Sequence, residues 1–239
     1  MIIIDAGNTR IKIYFFRHRK IINLYTYHYG EIDACFEILH SYTHSPIIIS
    51  DVSGKFPTHK LQHTHTEIFV CTKNIKLPIQ IDYTTGDTLG FDRIADAAGA
   101  VSLCPNTHKL IIDAGTALTI DYVDDTNTFR GGIISPGMNM RFTALHEKTG
   151  KLPLCAETHT IELHPDSTTK AIQSGVVQGI TFEISEYISA YTKLFPDITI
   201  FLCGGDTFFF EKILKKPIFA EANLNAYGLH SIYEYNVTA

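Results

Sequence analysis

Two short aspartate–glycine motifs carry residue types that suit phosphate chemistry. Asp5-Ala6-Gly7-Asn8-Thr9 follows a run of isoleucines, and Asp113-Ala114-Gly115-Thr116 follows another. Such an aspartate can lie beside backbone N–H groups and hydroxyls that suit a hydrated Mg²⁺ and a polyphosphate. Lys12, on the next predicted strand, could reach the same phosphates and balance the charge that develops during phosphoryl transfer. One copy is typical of an ordinary turn, but two copies that each begin one half of the chain favour a phosphate site.

A third motif, Gly90-Phe91-Asp92-Arg93, precedes an alanine-rich stretch that suits a helix. One interpretation of Asp92 is structural, because aspartate is a favoured residue at a helix N-terminus. The other is chemical: Asp92 takes a proton from an acceptor alcohol while Arg93 holds an anionic group of the same substrate. The residues alone leave both interpretations open.

The two aspartate–glycine motifs belong to an internal repeat. Residues 3–7 recur as residues 111–115, and Tyr14 recurs as Tyr122 at the same offset. Alternating β-type sequence follows each motif, so each glycine is predicted to turn one strand into a hairpin. This argues against a Rossmann loop, in which a helix follows the glycines. A further turn is predicted over residues 17–20, before a third strand.

The remaining elements predict two similar halves. They are a buried parallel strand at 46–50, a connecting loop at 50–56, helices at 94–104, 168–195 and 224–235, and a buried strand at 198–203. Pro105-Asn106 is predicted to form a turn that interrupts the regular elements. We therefore predict a boundary near residue 107, with an N-terminal lobe at 1–107 and a C-terminal lobe at 108–239. The simplest architecture is two βββαβα-like lobes with a cleft between them.

The composition of the chain argues against several classes of function. The chain has 239 residues, 45% of them hydrophobic, and a formal net charge of -5. Without long runs of like charge, it lacks the basic footprint of a nucleic-acid binder or a polybasic membrane anchor, so a small-molecule partner is expected. Five cysteines without a C-x-x-C pair indicate buried thiols in a reducing compartment. The sequence shows neither a secretory signal nor a membrane-spanning apolar run, so we expect a soluble cytoplasmic protein.

Three further features favour structural roles. The pair His63 and His65 has the spacing of a metal-binding H-x-H, but a solvated loop is the favoured interpretation because the chain has twelve histidines and no cysteine near this pair. Cys203 is predicted to be a small buried residue of the last strand. Twelve tyrosines and fifteen phenylalanines without interleaved basic residues indicate a core and a dimer interface rather than a base-stacking surface.

Taken together and in order, the motifs resemble the type III pantothenate kinases, within the superfamily of sugar kinases, actin and chaperone ATPases. The family pattern D-x-G-N-T-x-x-K matches residues 5–12, G-x-D-R matches 90–93, and D-x-G-T-A-x-T matches 113–119. Further matches are Tyr83 and residues 131–137, 168–175 and 204–206. The resemblance runs the length of the chain and implies an α/β fold of two ribonuclease H-like, actin-like lobes, each a mixed five-stranded sheet with flanking helices.

The resemblance also implies roles for individual residues. ATP would be bound by Asp5, Ala6, Gly7, Asn8, Thr9, Arg10, Ile11, Lys12 and Thr116. Pantothenate would be bound by Tyr83, Gly90, Phe91, Asp92, Arg93 and Thr168, with Asp92 as the proton acceptor. Asp113 would coordinate a monovalent cation, K⁺ or NH₄⁺, and Asp5 is a candidate ligand of Mg²⁺. The implied enzyme is a homodimer, in which Thr168 serves the partner's pocket, and it phosphorylates pantothenate in the first step of coenzyme A biosynthesis.

Two departures from the family pattern concern pocket shape. Phe91 occupies a position that often holds a smaller aliphatic residue, and Ser167 precedes Thr168 where Asn is more usual. Neither removes a functional group. Two rival functions are a regulatory protein that binds nucleotide without turnover and an actin-like nucleotide switch. Intact Asp5, Lys12, Asp92 and Asp113 argue against the first, and the predicted acceptor pocket argues against the second.

Overall fold

A computed structural model describes residues 1–61, 67–72 and 74–237, so the predicted H-x-H pair, His63 and His65, lies outside the described residues. The chain divides into two compact units. Unit 1 comprises Met1–Leu103 and Leu224–Ala239, and unit 2 comprises Cys104–Asn223. None of the described helices is both long enough and apolar enough to cross a membrane.

Unit 1 is a mixed sheet with helices on both faces. Its elements are β1 (Ile2–Ala6), β2 (Arg10–Arg17), β3 (Lys20–His28), α1 (Ile32–His40), β4 (Ile47–Asp51), β5 (Ile68–Val70), β6 (Gln80–Ile81), α2 (Phe91–Leu103) and α6 (Leu224–Val237). The sheet order is β3-β2-β1-β4-β5. Strands β1, β2 and β3 pair antiparallel, whereas β4 is parallel to β1 and β5 is parallel to β4.

The isoleucine run of β1 is buried on both sides of this sheet. Ile2 and Ile4 pack in a cluster with Cys35, Phe36 and Leu39 of α1. Ile3 belongs to a different cluster, which includes Ala95 of α2 and Leu229 of α6. Because successive side chains of a strand point to opposite faces, a strand covered by helices on both faces is apolar at every position.

Helix α6 packs directly on α2, and two glycines allow the close approach. A Cβ at Gly99 would lie 3.1 Å from the backbone nitrogen of Gly228, and a Cβ at Gly228 would collide with the carbonyl of Ala95. Residues 224–237 therefore belong to unit 1. The boundary predicted near residue 107 had placed them in the C-terminal lobe. The reason is packing, since α6 closes the apolar face of α2 and β1.

Unit 2 follows the same plan. Its elements are β7 (Lys109–Ala114), β8 (Ala117–Val123), β9 (Thr128–Pro136), α3 (Met138–Glu147), α4 (Thr168–Leu194), β10 (Thr199–Cys203), α5 (Thr207–Leu214) and β11 (Phe219–Ala220). These strands follow the order β11-β10-β7-β8-β9, with β10 parallel to β7 and β11, and β8 antiparallel to β7 and β9. One face of α4 packs on the sheet through Ile172, Val176, Ile180 and Ile184.

Several sequence predictions are confirmed at this level, including the α/β class. The strand predicted at 46–50 is β4, buried and parallel to β1, and the helix predicted at 168–195 is α4. The turn predicted at 17–20 contains His18 and Arg19, both with positive φ. The prediction of five buried thiols is right for Cys35 and Cys203, whereas Cys71, Cys104 and Cys155 are only half-buried.

Candidate active site

Asp5 and Lys12 are paired across the first hairpin. Asp5 ends the apolar part of β1, and its Cα lies opposite that of Lys12 on β2. Direct cross-strand partners project to the same face of a sheet, so carboxylate and ammonium share one surface. Burial raises the pKa of Asp5 to about 6, the charge of Lys12 counteracts this rise, and the charge of Asp92 adds to it. Asp5, Lys12 and Asp92 therefore form one electrostatic cluster.

Residues 7–10 form the turn between these two strands. The Gly7 N–H donates to the Arg10 carbonyl at 3.0 Å, and the Tyr29 hydroxyl donates to the Gly7 carbonyl at 2.7 Å. Asn8, Thr9 and Arg10 are exposed. The turn thus has a fixed base and leaves its tip accessible to a ligand.

Asp92 lies in the first turn of α2. Its Oδ1 accepts a hydrogen bond of 2.8 Å from the backbone N–H of Arg93. The helix begins after Gly90, whose carbonyl accepts from the Ile94 N–H at 3.3 Å. A Cβ at Gly90 would collide with Asp92 Oδ1, so a side chain there would force the carboxylate to shift. Asp92 therefore satisfies one backbone donor at the helix N-terminus, as the structural interpretation expects, while its charge also acts on Asp5.

Arg93 is a buried cation beside an aromatic ring. The residue is 6% exposed, and its Cζ lies 5.9 Å from the ring centre of Tyr83. This distance is within the range of a cation–π contact. Phe91, on the other side of Asp92, is half-buried and packs against the cluster that contains Ile3 and Tyr14. The structure thus brings Tyr83 and Arg93 together and gives Phe91 a packing role.

Asn225 is a neighbour of Asp92 that the sequence did not indicate. It lies in the first turn of α6, and its Nδ2 donates to the Asp92 carbonyl at 3.4 Å. Its Oδ1 is buried and has no hydrogen-bond partner among the residues that the structure describes. No local signal could have revealed this contact, because the two residues are far apart in sequence and meet only when α6 packs on α2.

The second hairpin repeats the first with a different register. Asp113 ends the apolar part of β7, and its partner on β8 is Thr119. In the first hairpin Ala6 pairs with Ile11, whereas in the second Ala114 pairs with Leu118, so the second hairpin is one residue shorter. The aspartate of unit 2 therefore faces a hydroxyl instead of a cation.

Glycines surround the carboxylate of Asp113. Oδ1 is buried; a Cβ at Gly115 would lie 3.2 Å from it, and a Cβ at Gly204 would collide with it. Gly204 has a φ of +91°, in the left-handed region that favours glycine. The next turn is fixed to the same place, because the Asp206 N–H donates to the Ala114 carbonyl at 2.9 Å. The motif at 204–206 thus belongs beside Asp113.

Two further predicted residues are exposed in unit 2. Thr116 lies at the tip of the second hairpin, where its carbonyl accepts from the Gly137 N–H at 3.2 Å. Thr168 is the first residue of α4, and Ser167 before it is the N-cap, whose side chain accepts from the Lys170 N–H at 3.4 Å. Serine at 167 therefore supplies the helix cap.

The two units carry different parts of the predicted chemistry. Unit 1 holds a cation, two interacting carboxylates and a buried guanidinium, a set suited to phosphate binding, proton transfer and recognition of a carboxylate. Unit 2 holds a buried carboxylate oxygen beside Gly115 and Gly204. Over residues 1–61, 67–72 and 74–237, no three His, Cys, Asp or Glu side chains form a group that could hold a metal ion.

Comparison with known proteins identifies relatives along the whole chain. A family model described as type III pantothenate kinase matches residues 1–190. The type III pantothenate kinase of Cytophaga hutchinsonii is 41% identical over 236 residues, which cover 99% of each chain. That of Flavobacterium psychrophilum is 37% identical, over 97% of this chain and 98% of its own.

Solved structures resemble the chain in fold. A protein assigned to the Baf family of transcriptional activators, from Campylobacter jejuni, has a TM-score of 0.64 at 18% identity, with full coverage of both chains. A protein described as a 2-dehydro-3-deoxygalactonokinase, from Sinorhizobium meliloti, has a TM-score of 0.60 at 12% identity, over 100% of this chain and 99% of its own. The chain therefore shares its α/β fold with these two proteins over its whole length.

Proposed function

Because the chain belongs to the type III pantothenate kinase family and is thus an ATP-dependent kinase of pantothenate in coenzyme A biosynthesis, we propose that Asp92 is the general base of its reaction. The observation that carries this proposal is the cluster of Asp5, Lys12 and Asp92. One hairpin supplies a cation for phosphate, and the adjoining helix supplies a carboxylate for an alcohol.

In the proposed reaction, the primary hydroxyl oxygen of pantothenate forms a bond to the γ-phosphorus of ATP. The bond between that phosphorus and the β,γ-bridging oxygen breaks, ADP leaves, and the hydroxyl proton passes to Asp92. Phosphoryl transfer needs positioning and charge neutralisation more than bond-making by the protein. Asp92 therefore acts by orienting the hydroxyl as well as by accepting its proton.

On the nucleotide side, residues 5–12 and Thr116 would bind ATP. Asn8 and Thr9 are exposed at the turn, and Lys12 offers a charge that balances the transferring phosphoryl group. Mg²⁺ usually takes only one or two carboxylates and completes its shell with water and phosphate oxygens. Asp5 alone therefore fits as its protein ligand. When bound, Mg²⁺ neutralises charge on the phosphates.

Asp113 fits a monovalent cation such as K⁺ or NH₄⁺. Its buried carboxylate oxygen lies among the backbone atoms of Gly115 and Gly204, with the Ala114 carbonyl also close to Gly204. Oxygen donors of this kind suit hard cations. Such a cation would supply positive charge beside the second hairpin.

Pantothenate would be held through its carboxylate. Arg93 is an always-charged donor that can form two parallel hydrogen bonds to a carboxylate, and burial strengthens such bonds. The ring of Tyr83 limits where the guanidinium can lie. If Arg93 binds the carboxylate of pantothenate, the neighbouring Asp92 could accept a hydrogen bond from the hydroxyl at the other end of the substrate.

The proposed assembly is a homodimer in which Thr168 contributes to the partner's pocket. Two large apolar side chains of unit 2 support an interface: Phe182 on α4 is 62% exposed, and Ile134 on β9 is 66% exposed. Burial of these side chains against a partner would favour association.

Mixing two inactive variants tests this assembly. Asp92→Asn and Thr168→Arg, co-expressed with different tags, should regain about a quarter of wild-type activity, since half of the dimers are mixed and one site in two is intact. If Thr168 serves its own chain, no activity returns.

The central test of function is ADP release from Mg-ATP and pantothenate, run in K⁺ and in Na⁺ buffers, with the product mass confirmed. Turnover that requires pantothenate and K⁺ supports the kinase and the Asp113 cation site together. The rival is a regulatory protein, favoured only by the fold shared with the transcriptional activator. Nucleotide binding without turnover in either salt would support that rival.

A further inference from the structure

The phosphate turn at Gly7 rests on a row of three polar side chains. The Tyr29 hydroxyl donates to the Gly7 carbonyl at 2.7 Å and lies 2.6 Å from the Ser53 hydroxyl, which donates to Asp51 Oδ1 at 2.7 Å. The two hydroxyls supply only two hydrogens for these three short contacts, so the Tyr29–Ser53 contact competes with the bonds to Gly7 and Asp51 for them. A change at Ser53 or Asp51 therefore alters the hydrogen bond that Tyr29 makes to Gly7.

Asp51 is the fixed end of this row. Its Oδ1 also accepts from the backbone N–H groups of Ser53 at 3.1 Å and Gly54 at 2.9 Å, and its Oδ2 accepts from that of Phe56 at 3.0 Å. A carboxylate with several such donors is rotationally locked. Asp51 ends β4, where its Cα pairs with that of Ala6. The row thus starts on the strand beside β1 and ends at the turn that follows β1.

The position of Gly7 matters because the exposed residues after it are the ones that would contact phosphate. Gly7 donates its N–H to Arg10, so the Tyr29 bond engages its remaining backbone polar group. A site that binds a transferring group loses activity when its supporting residues let it move by about 1 Å.

We propose that Tyr29, supported by Ser53 and Asp51, is a positioning residue that fixes the first phosphate turn for ATP. This inference rests on the proposed role of residues 5–12 in ATP binding. It assigns a function to the loop at 50–56 beyond that of connecting two elements.

The test compares Tyr29→Phe with the full-length wild type. We expect the KM for ATP and the Kd for Mg-ATP to rise about 3–10-fold, the cost of one hydrogen bond, while the KM for pantothenate changes less than about twofold. Tyr25→Phe is the matched control, because it removes a hydroxyl from another half-buried tyrosine of the same apolar cluster. It should leave both KM values unchanged. Circular dichroism and the unfolding temperature establish that each variant folds.

A double-mutant cycle separates positioning from a merely structural role. Ser53→Ala should raise the KM for ATP in the wild type but have no further effect in Tyr29→Phe, because Ser53 reaches Gly7 only through Tyr29. Additive effects, or an unchanged KM and Kd for ATP in Tyr29→Phe, would overturn the inference. If the wild type binds Mg-ATP but does not phosphorylate pantothenate, the proposed function fails, and the Kd values still decide this inference. If the wild type does not bind Mg-ATP, both fail.

Discussion

Asp5 and Lys12 face each other across the first hairpin, and the charge of Lys12 acts on the Asp5 carboxyl to lower its pKa. The isolated carboxyl would titrate near its ordinary value, but burial raises the pKa of Asp5 to about 6, with Lys12 and Asp92 acting in opposite directions. In the free protein, burial makes the ionised form of Asp5 unfavourable. A bound cation would favour that ionised form, because a nearby positive charge lowers the pKa of a carboxyl group.

The signs of these two influences are testable. Lys12→Met should raise the pKa of Asp5 further, because it removes a positive charge, and Asp92→Asn should lower it, because it removes a negative one. Carboxyl ¹³C shifts of labelled aspartate, followed against pH, measure both. In the wild type, the free energy of unfolding should fall as the pH rises through about 6, since the native state holds this proton more tightly than the unfolded chain. Shifts of the same sign in both variants would refute the cluster.

Asp92→Asn tests the proposed base. The amide keeps the size and an acceptor oxygen for the Arg93 N–H, so folding and pantothenate binding should persist. Turnover should fall by roughly 10²–10⁴-fold, the usual contribution of a positioned base. Steady-state ADP release gives the rate, and calorimetry gives the binding. Full activity in this variant would leave Asp92 only its structural role at the start of α2.

The glycine contact between α2 and α6 should be intolerant of a single methyl group. Gly228→Ala drives a Cβ into the Ala95 carbonyl, so it should destabilise the protein by about 3 kcal/mol. Gly175→Ala in α4 is the matched control, since among the described residues nothing lies within 4 Å of its Cβ position. It should stabilise the protein by up to about 1 kcal/mol through helix propensity. Urea unfolding measures both, and equal effects would mean that the helices pack less closely than described.

Asp124 should hold the β8–β9 turn through its charge. Burial disfavours its ionised form, but bonds from the Thr126 hydroxyl at 2.6 Å, the Thr128 N–H at 3.0 Å and Arg130 Nε at 2.7 Å outweigh this and lower its pKa to about 2. The stabilisation is therefore present at neutral pH and is lost as the pH falls towards 2.

Asp124→Asn should accordingly cost about 1–2 kcal/mol at neutral pH, and the difference from wild type should shrink in acid. The matched control is Asp125→Asn, whose side chain is 59% exposed, with an expected effect below about 0.5 kcal/mol. Urea unfolding at several pH values provides the comparison. A difference that stays constant with pH would show that the turn does not depend on this charge.

Sequence patterns predicted the elements whose signals are local. The apolar runs before Asp5 and Asp113, the turns after them, and the repeated apolar face of α4 lie within short windows, so their hairpins and helix were predictable. The patterns missed helices α1, α3 and α5, and they did not indicate that α6 packs within unit 1. Helix α6 is buried on several sides, so its apolar residues have no single periodic face that indicates a partner.

Within the candidate site, the unpredicted features are contacts between distant segments. Tyr29 and Ser53 are ordinary residue types, and only the parallel pairing of β1 with β4 brings them together near Gly7. The one-residue difference between the two hairpins, which gives Asp5 a cation and Asp113 a hydroxyl as partner, depends on turn geometry rather than on the repeated motif.

Because α6 packs in unit 1, the order in which the ribosome makes the chain affects how unit 1 can fold. Unit 2 is one continuous stretch, but unit 1 needs the segment that the ribosome makes after unit 2. On a growing chain, residues 104–223 are all made before α6, so α2, with Asp92 in its first turn, emerges long before the helix that covers it. Unit 1, which holds the proposed base Asp92, is therefore completed last, so a nascent chain interrupted before α6 would contain all of unit 2 but would lack the helix that covers α2.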